Sequence, residues 1–360
     1  MEIEKIDSNF IVNKNTNNKN LTYYKVPNPV FKLYGVFYDE DEKCFRRIKK
    51  DIASTVSEGV NYLSYHTSGG RLRFSTDSAY FELTVKMKEL PIMSHMAIEG
   101  SSGFMLVEEN EDGSTGYFRI IPPMWNQNKG YTLSGELPKN KMRNYILWFP
   151  LYNDVEDIVL GLDKDSNIGS GRKYKDIKPI LYYGSSITQG GCASRPDNDY
   201  QALISKWNNI DFINQGYSGN GLAEDNMVDY LASIDTSLFV CDYDFNAYDS
   251  EYLLKTHKRL YERYRAVKKD TPILFISAPT ADYACGIEEC NKRFEIIKDT
   301  YNYAINNGDK NVYLLDGRTF FDNKDRMNHT VDGCHPTDLG FYQMAKMIYE
   351  KMSQIDKKFM

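Results

Sequence analysis

The feature that most constrains this chain is a change of hydropathy pattern near its middle. Before about Leu162, apolar residues alternate with polar ones at period two, as in half-buried antiparallel strands. After Pro179 they fall in short continuous runs separated by helix-length segments, the pattern of a parallel sheet covered on both faces. One layer cannot satisfy both patterns, so the expectation is two domains, in keeping with 360 residues. The stretch between them, DKDSNIGSGRKYKDIK from Asp163 to Lys178, is polar and holds two glycines. The expected division is a polar leader at 1–22, an all-β sandwich or jelly roll at 23–165, a linker at 166–177 and an α/β domain at 178–360.

In the first domain Leu72 and Phe74, then Phe81, Leu83, Val85 and Met87, alternate with polar neighbours. Phe104–Val107 and Tyr117–Ile121, joined through Glu111-Asp112-Gly113, predict a hairpin. Further strands are expected at Asn144–Phe149 and Asp157–Leu162, and prolines at 122, 123, 138 and 150 exclude long helices. Many short strands with turn signals are the pattern of a sandwich or jelly roll. Asp51–Ser57 stands apart as a short helical turn.

In the second domain, strands are expected at Pro179–Tyr183, Asp211–Asn214, Ser237–Asp242, Pro272–Ser277 and Val312–Leu315. Helices are expected near Tyr200–Asn208, Glu224–Ser233, Glu251–Lys269, Glu288–Asn307 and Thr337–Ser353. Leu253, Leu260, Tyr264 and Val267 share one face of the third of these.

Composition excludes several classes. A net charge of −6 without a basic block argues against nucleic acid or an anionic membrane as partner. No window approaches ~18 uninterrupted apolar residues, so no membrane span is expected. The leader lacks an apolar core of the secretory type, and six scattered cysteines include no CxxC pair, so the expectation is a cytoplasmic protein with reduced thiols. The 28 tyrosines suit amphipathic ligands such as sugars, but Tyr, Asn and Lys are also what AT-rich coding favours, so they do not specify a ligand.

In an open parallel sheet, ligands bind beyond the carboxyl ends of the strands. Four such ends carry polar or glycine residues: Gly184-Ser185-Ser186, Asn214 to Gly221, Asp242 to Asn246, and Asp332 to Pro336 before the final helix. Together they make a hydrolytic set. Ser186 can attack a carbonyl if His335 removes its proton, and Asp332, three residues earlier, can orient the imidazole. The Gly219 N–H, the Asn246 carboxamide and the Ser186 N–H are candidate oxyanion donors, with Asn214 and Asn220 as rival amides. Gly-x-Ser-x-Gly, a P-loop and the dinucleotide fingerprint are all absent. No metal-ligand spacing occurs among His66, His95, His257 and His329, and no cofactor is expected.

Gly184-Ser185-Ser186-Ile187-Thr188 resembles the first block, Gly-Asp-Ser-x-Thr, of the SGNH (GDSL-type) hydrolase superfamily. Gly219 resembles the second block, Asn246 the third and Asp332-x-x-His335 the fifth, in the family's order over roughly residues 178–355. The resemblance implies a three-layer α/β/α sandwich and metal-free, serine-dependent ester hydrolysis. The preceding β domain resembles bacterial two-domain members with an N-terminal jelly roll, many of them carbohydrate acetylesterases. Two departures stand out: Ser185 replaces the aspartate of the first block, so two serines compete as nucleophile, and Asn246 sits in Asp-Phe-Asn-Ala rather than Gly-x-Asn-Asp.

The expectation is a serine esterase that removes a small acyl group, acetyl foremost, from a mono- or oligosaccharide, with Trp125 as a candidate acceptor-side ring. The alternatives are a lipid or thioester hydrolase of the same superfamily, and a non-catalytic carbohydrate-binding protein. Cys192 and Cys334 fall near the proposed site, as small buried hydrophobes or a redox-sensitive pair, and homo-oligomerisation is left open.

Overall fold

The computed structural model describes residues 20–124, 126–139, 141–279, 286–321 and 324–360. They form two compact units. The first holds residues 20–46, 65–173 and 195–197, and the second residues 47–64, 174–194 and 198–360.

The first unit contains two antiparallel sheets. One runs Leu21–Val26, Asp157–Asp163, Tyr80–Lys86, Gly130–Glu136 in spatial order. The other runs Ile168–Gly169, Arg71–Thr76, Arg143–Trp148, Phe104–Glu109, Thr115–Ile121, with Lys32–Tyr34 also paired to Arg71–Thr76. Period two decides which side chains face inward: Phe81, Leu83 and Val85 are buried while Glu82 and Thr84 are not. They join Leu133, Ile158 and Leu160 of their own sheet and Leu72, Phe74, Leu106 and Leu147 of the other in one core, a β sandwich. The hairpin forms as the pattern predicts, with Phe104 opposite Ile121. Part of the polar stretch at 166–177 joins this sandwich, because Ile168 and Gly169 pair with Thr76 and Ser75; the units divide between 173 and 174.

The second unit has a five-stranded, all-parallel sheet in the order Phe212–Gly216, Ile180–Gly184, Leu238–Asp242, Ile273–Ile276, Val312–Leu315. Strand order reverses at Ile180–Gly184, which makes its carboxyl end the topological switch point where α/β sheets bind ligands. Alternate residues of that strand serve two helical layers. Leu181 and Tyr183 pack in a core with Met227, Leu253, Leu260 and Ile297, from the helices Asp225–Ser233, Ser250–Val267 and Ile287–Asn306. Tyr182 faces the other way, edge-on to Tyr200 of the helix Tyr200–Asn208, which packs against the final helix Asp338–Ile355.

Leu253, Leu260 and Tyr264 are buried as the helical spacing requires, but Val267 is 61% exposed, because the helix ends there and its last turn runs past the core. The turn expected at Asp51–Ser57 is part of two helices, Lys50–Val56 and Glu58–Leu63, which belong to the second unit although they precede most of the first in sequence. Among the described residues no helix is long and apolar enough to cross a membrane. The leader up to residue 19, and Trp125, lie outside the described residues.

Candidate active site

The strand Ile180–Gly184 is buried along its whole length and delivers the chain into a sharp turn. Gly184 is required there, since a Cβ would lie 1.9 Å from Asp242 Oδ1 and 2.1 Å from Thr188 Oγ1. Ser185 then caps the four-residue helix Ser186–Gln189, its Oγ accepting from the Ile187 N–H at 3.2 Å, and Gly190 ends that helix at φ 96°. Ser185 is 1% exposed and engaged with local backbone, whereas Ser186, at 9%, keeps a surface for a reactant.

Ser186 Oγ lies 2.9 Å from His335 Nε2, and His335 Nδ1 lies 2.7 Å from Asp332 Oδ2. The imidazole is carried on a small closed loop. The Val331 N–H donates to the His335 carbonyl at 2.8 Å, Gly333 takes φ 83°, and Asp332 Oδ1 accepts from the N–H groups of Cys334 and His335 at 3.0 and 2.8 Å. Partial burial pushes the Asp332 carboxyl upward, but the His335 N–H, the His335 ring and the Cys334 N–H outweigh it and hold the group below the usual carboxylate range. With Asp332 ionised, the imidazole keeps its proton on Nδ1, leaving Nε2 to accept from the serine hydroxyl.

Of the candidate oxyanion donors, the loop of Gly219 is hydrogen-bonded to the turn that carries Ser186 and to Asn246. Gly219 adopts φ 68°, a conformation that favours glycine, and nothing occupies the space where a Cβ would project. Its loop is fastened to the nucleophile turn: the Tyr217 N–H donates to the Gly184 carbonyl at 3.0 Å and the Ser218 N–H to Gln189 Oε1 at 3.0 Å. Asn246 Nδ2 donates to the Tyr217 carbonyl at 2.7 Å, leaving its second amide hydrogen for another acceptor. Of the rival amides, Asn214 is committed elsewhere: it is fully buried, donating to the Thr188 carbonyl at 2.7 Å and accepting from the Gly216 N–H at 2.8 Å. Asn220 Nδ2 donates to the Ser218 carbonyl at 2.8 Å and, like Asn246, keeps a second amide hydrogen.

The remaining histidines of this unit have structural settings. His257 is buried against Tyr243 and Phe275, and burial pushes its ring down to about 3, so it stays neutral. His329 stacks on Phe321 and bonds the Asp325 carbonyl through Nδ1. Burial pushes the Cys192 thiol up to about 12, with Asp332 and Cys334 adding to the rise, while Cys334 is half-buried rather than enclosed.

Three supporting residues escape a motif reading. Asp242, at the end of the adjacent strand, accepts from Thr188 Oγ1 and, at 3.1 Å, from the Tyr200 hydroxyl; burial pushes its carboxyl up to about 8. Arg47 places its guanidinium over the Tyr217 ring and donates to the carbonyls of Gly216 at 2.6 Å and Leu63 at 2.8 Å. Arg293 donates to the carbonyls on either side of Asn246. Asp242 is marked in advance only as a polar strand end and Arg47 only by the helical turn near it, while Arg293 carries no signal, because long-range partners leave no local periodicity.

Comparison with known proteins follows the same division. Residues 177–353 match the profile of the GDSL-like Lipase/Acylhydrolase family, and residues 21–168 match that of the N-terminus of Esterase_SGNH_hydro-type proteins. No curated protein matches the sequence significantly. Among solved structures, a Bacteroides ovatus protein described as a GDSL-like lipase superposes with a TM-score of 0.82 at 26% identity, covering 93% of this chain and 98% of its own. The salicylyl-acyltransferase SsfX3 of a tetracycline biosynthetic pathway follows with 0.77 at 16% identity, covering 94% and 98%. An acetyl xylan esterase, Est2A, from the rumen bacterium Butyrivibrio proteoclasticus reaches 0.60 at 12% identity, covering 94% and 100%. The last two, at such low identity, show a shared fold.

Proposed function

Because the chain belongs to the GDSL-like lipase/acylhydrolase family, we propose that it is a serine esterase that removes a small acyl group, acetyl foremost, from a carbohydrate. The observation that carries this reading is the continuous hydrogen-bonded chain Ser186–His335–Asp332, at 2.9 and 2.7 Å. As His335 Nε2 takes the hydroxyl proton, Ser186 Oγ bonds to the ester carbonyl carbon, and the carbonyl electrons move onto oxygen. The Gly219 and Ser186 N–H groups and the free Asn246 amide hydrogen receive that oxyanion. Collapse breaks the bond to the alcohol oxygen, which takes the proton back from His335. Water, deprotonated by the same imidazole, then releases the acyl group from Ser186. Asp332 stays ionised throughout, which its lowered pKa favours.

One consideration supports the sugar ester as substrate: the two-domain fold shared with an acetyl xylan esterase. The acceptor is a small acetylated mono- or oligosaccharide. A series of p-nitrophenyl esters from acetate to octanoate tests the acyl preference. The acetylesterase reading expects kcat/KM to fall at least about tenfold from two carbons to eight, since each methylene is worth ~1–3 kcal/mol of discrimination. A rise along the series would instead assign the protein to lipid or thioester hydrolysis, and acetate release from acetylated xylo- and cello-oligosaccharides then identifies the sugar.

A further inference from the structure

Arg293 is buried on the helix Ile287–Asn306, far in sequence from every residue of the proposed chemistry. Its Nε donates to Glu289 Oε1, one turn earlier, at 3.0 Å. Its Nη1 donates to the Asp244 carbonyl and, at 3.0 Å, to the Ala247 carbonyl. These two carbonyls bracket Asn246 in the connection between the strand Leu238–Asp242 and the helix Ser250–Val267. Such a connection has no ladder of its own to fix it. Asn246 is itself tied by its Nδ2, which donates to the Tyr217 carbonyl at 2.7 Å. The Asn246 N–H donates to the Tyr243 carbonyl at 2.9 Å, and Asp244 Oδ2 accepts from the Ala278 N–H at 3.0 Å.

Taking a guanidinium out of water is expensive, and carbonyl partners return part of that cost only where geometry is good. An oxyanion donor, in turn, is effective only if it is aimed before the oxyanion forms. We propose that Arg293 is a positioning residue that fixes the Asn246 carboxamide for the oxyanion by clasping the carbonyls on either side of it. This rests on the reading of Asn246 as an oxyanion donor. Arginine suits the task because Nη1 meets both carbonyls while Nε of the same rigid plane is held by Glu289, and a lysine ammonium has no second nitrogen to take that anchor.

The test is a double-mutant cycle in p-nitrophenyl acetate hydrolysis, with melting temperatures measured alongside. Asn246→Ala should lower kcat by about a hundredfold. Arg293→Lys should lower it by about tenfold, with KM unchanged within about twofold, as expected for misplacement of a group acting only in the transition state. In the Asn246→Ala background, Arg293→Lys should cause no further loss, because the group it aims is gone. Losses that multiply in the double variant, or a folded Arg293→Lys protein with full kcat, would overturn the proposal alone. Full activity in Asn246→Ala would overturn the oxyanion reading and the proposal with it. If Arg293→Lys does not fold at assay temperature, Glu289→Ala, which removes the acceptor of Nε alone, carries the same cycle with an expected loss of about threefold.

Discussion

The proposed nucleophile turn and the proposed base loop face each other across 2.9 Å but are built in opposite ways. Around the turn, Gly184, Ser185, Thr188 and Gln189 are all buried, and Gly184, Thr188 and Gln189 are tied to residues distant in sequence. The Thr188 carbonyl alone accepts from both Gln201 and Asn214 at 2.7 Å. The loop that carries His335 leaves Asp332 and Cys334 partly exposed and holds itself by bonds within five residues. The serine is thus placed by packing of the whole unit, the imidazole by local turn chemistry. Apart from Ser186 itself, substitutions in the turn should disturb stability and catalysis together, and those in the loop catalysis alone.

The largest expected effect breaks the comparison most cleanly. His335→Ala should lower kcat by about 10⁴-fold or more, and Asp332→Asn by about 10²–10⁴-fold, through loss of the base and of its orientation. Both should leave the melting temperature within about 3 °C, because a partly exposed loop gives up little on truncation. Thermal unfolding alongside initial rates checks both. A large drop in melting temperature would show that the loop is part of the structural core.

The second effect concerns two carboxyls of opposite character. Asp242 is enclosed beneath the nucleophile turn, and burial pushes it up to about 8, far above its value of 3.8 in an unfolded chain. Its stabilisation is therefore fully present below pH ~4 and is lost as pH rises through about 8. Asp332 is held low, so its contribution is present above the unfolded value and is lost as pH falls through its folded one. Asp242→Asn, isosteric with the protonated carboxyl, should gain on the natural protein with rising pH, by about 1.4 kcal/mol per unit between pH ~4 and ~8. Measuring the difference between the two proteins cancels the parallel titration of His257 and leaves, besides Asp242 itself, its coupling to Asp244, which burial raises to about 6 and whose charge pushes Asp242 further up. A difference independent of pH would mean that Asp242 is ionised in the folded protein, and the turn would then rest on a charge rather than on a neutral carboxyl.

The same contrast explains how much was legible in the sequence. The base loop declares itself, because Asp332, Gly333, His335 and the capping Thr337 act within one short stretch, and local chemistry is what a sequence displays. The strands and helices of the second unit were visible for a similar reason. Each is a continuous apolar run or a helical stripe, and the helix expected at Tyr200–Asn208 has those bounds. The supports of the turn were hidden. Nothing near Arg47 shows that it belongs with Gly216, or that Gly59 has no side chain because Asn220 fills its place. The two helices over 50–63 sit amid strand patterns, and only tertiary contacts assign them to the second unit. Ile168–Gly169 was equally opaque, since a two-residue edge strand has no periodicity to detect.

The smallest expected effect is the sharpest test of the turn. Position 185 holds serine where the family pattern has aspartate, and both residue types serve as helix N-caps through a side-chain oxygen. Ser185 Oγ fills that role by accepting from the Ile187 N–H, within a cap only one residue from the nucleophile. Ser185→Ala should cost ~1 kcal/mol of stability through the lost cap bond, and under about tenfold in kcat, since the backbone at 186 is also held through the Gly191 N–H bond to the Ser186 carbonyl at 2.8 Å. Ser186→Ala should do the reverse, leaving stability nearly unchanged and removing activity by about 10⁴-fold or more. Equal losses of activity in the two variants would remove the distinction between capping and attacking serine, and with it the assignment of Ser186. Ser185→Asp should keep the cap bond that Ser185→Ala loses, with a carboxylate oxygen accepting from the Ile187 N–H in place of the hydroxyl.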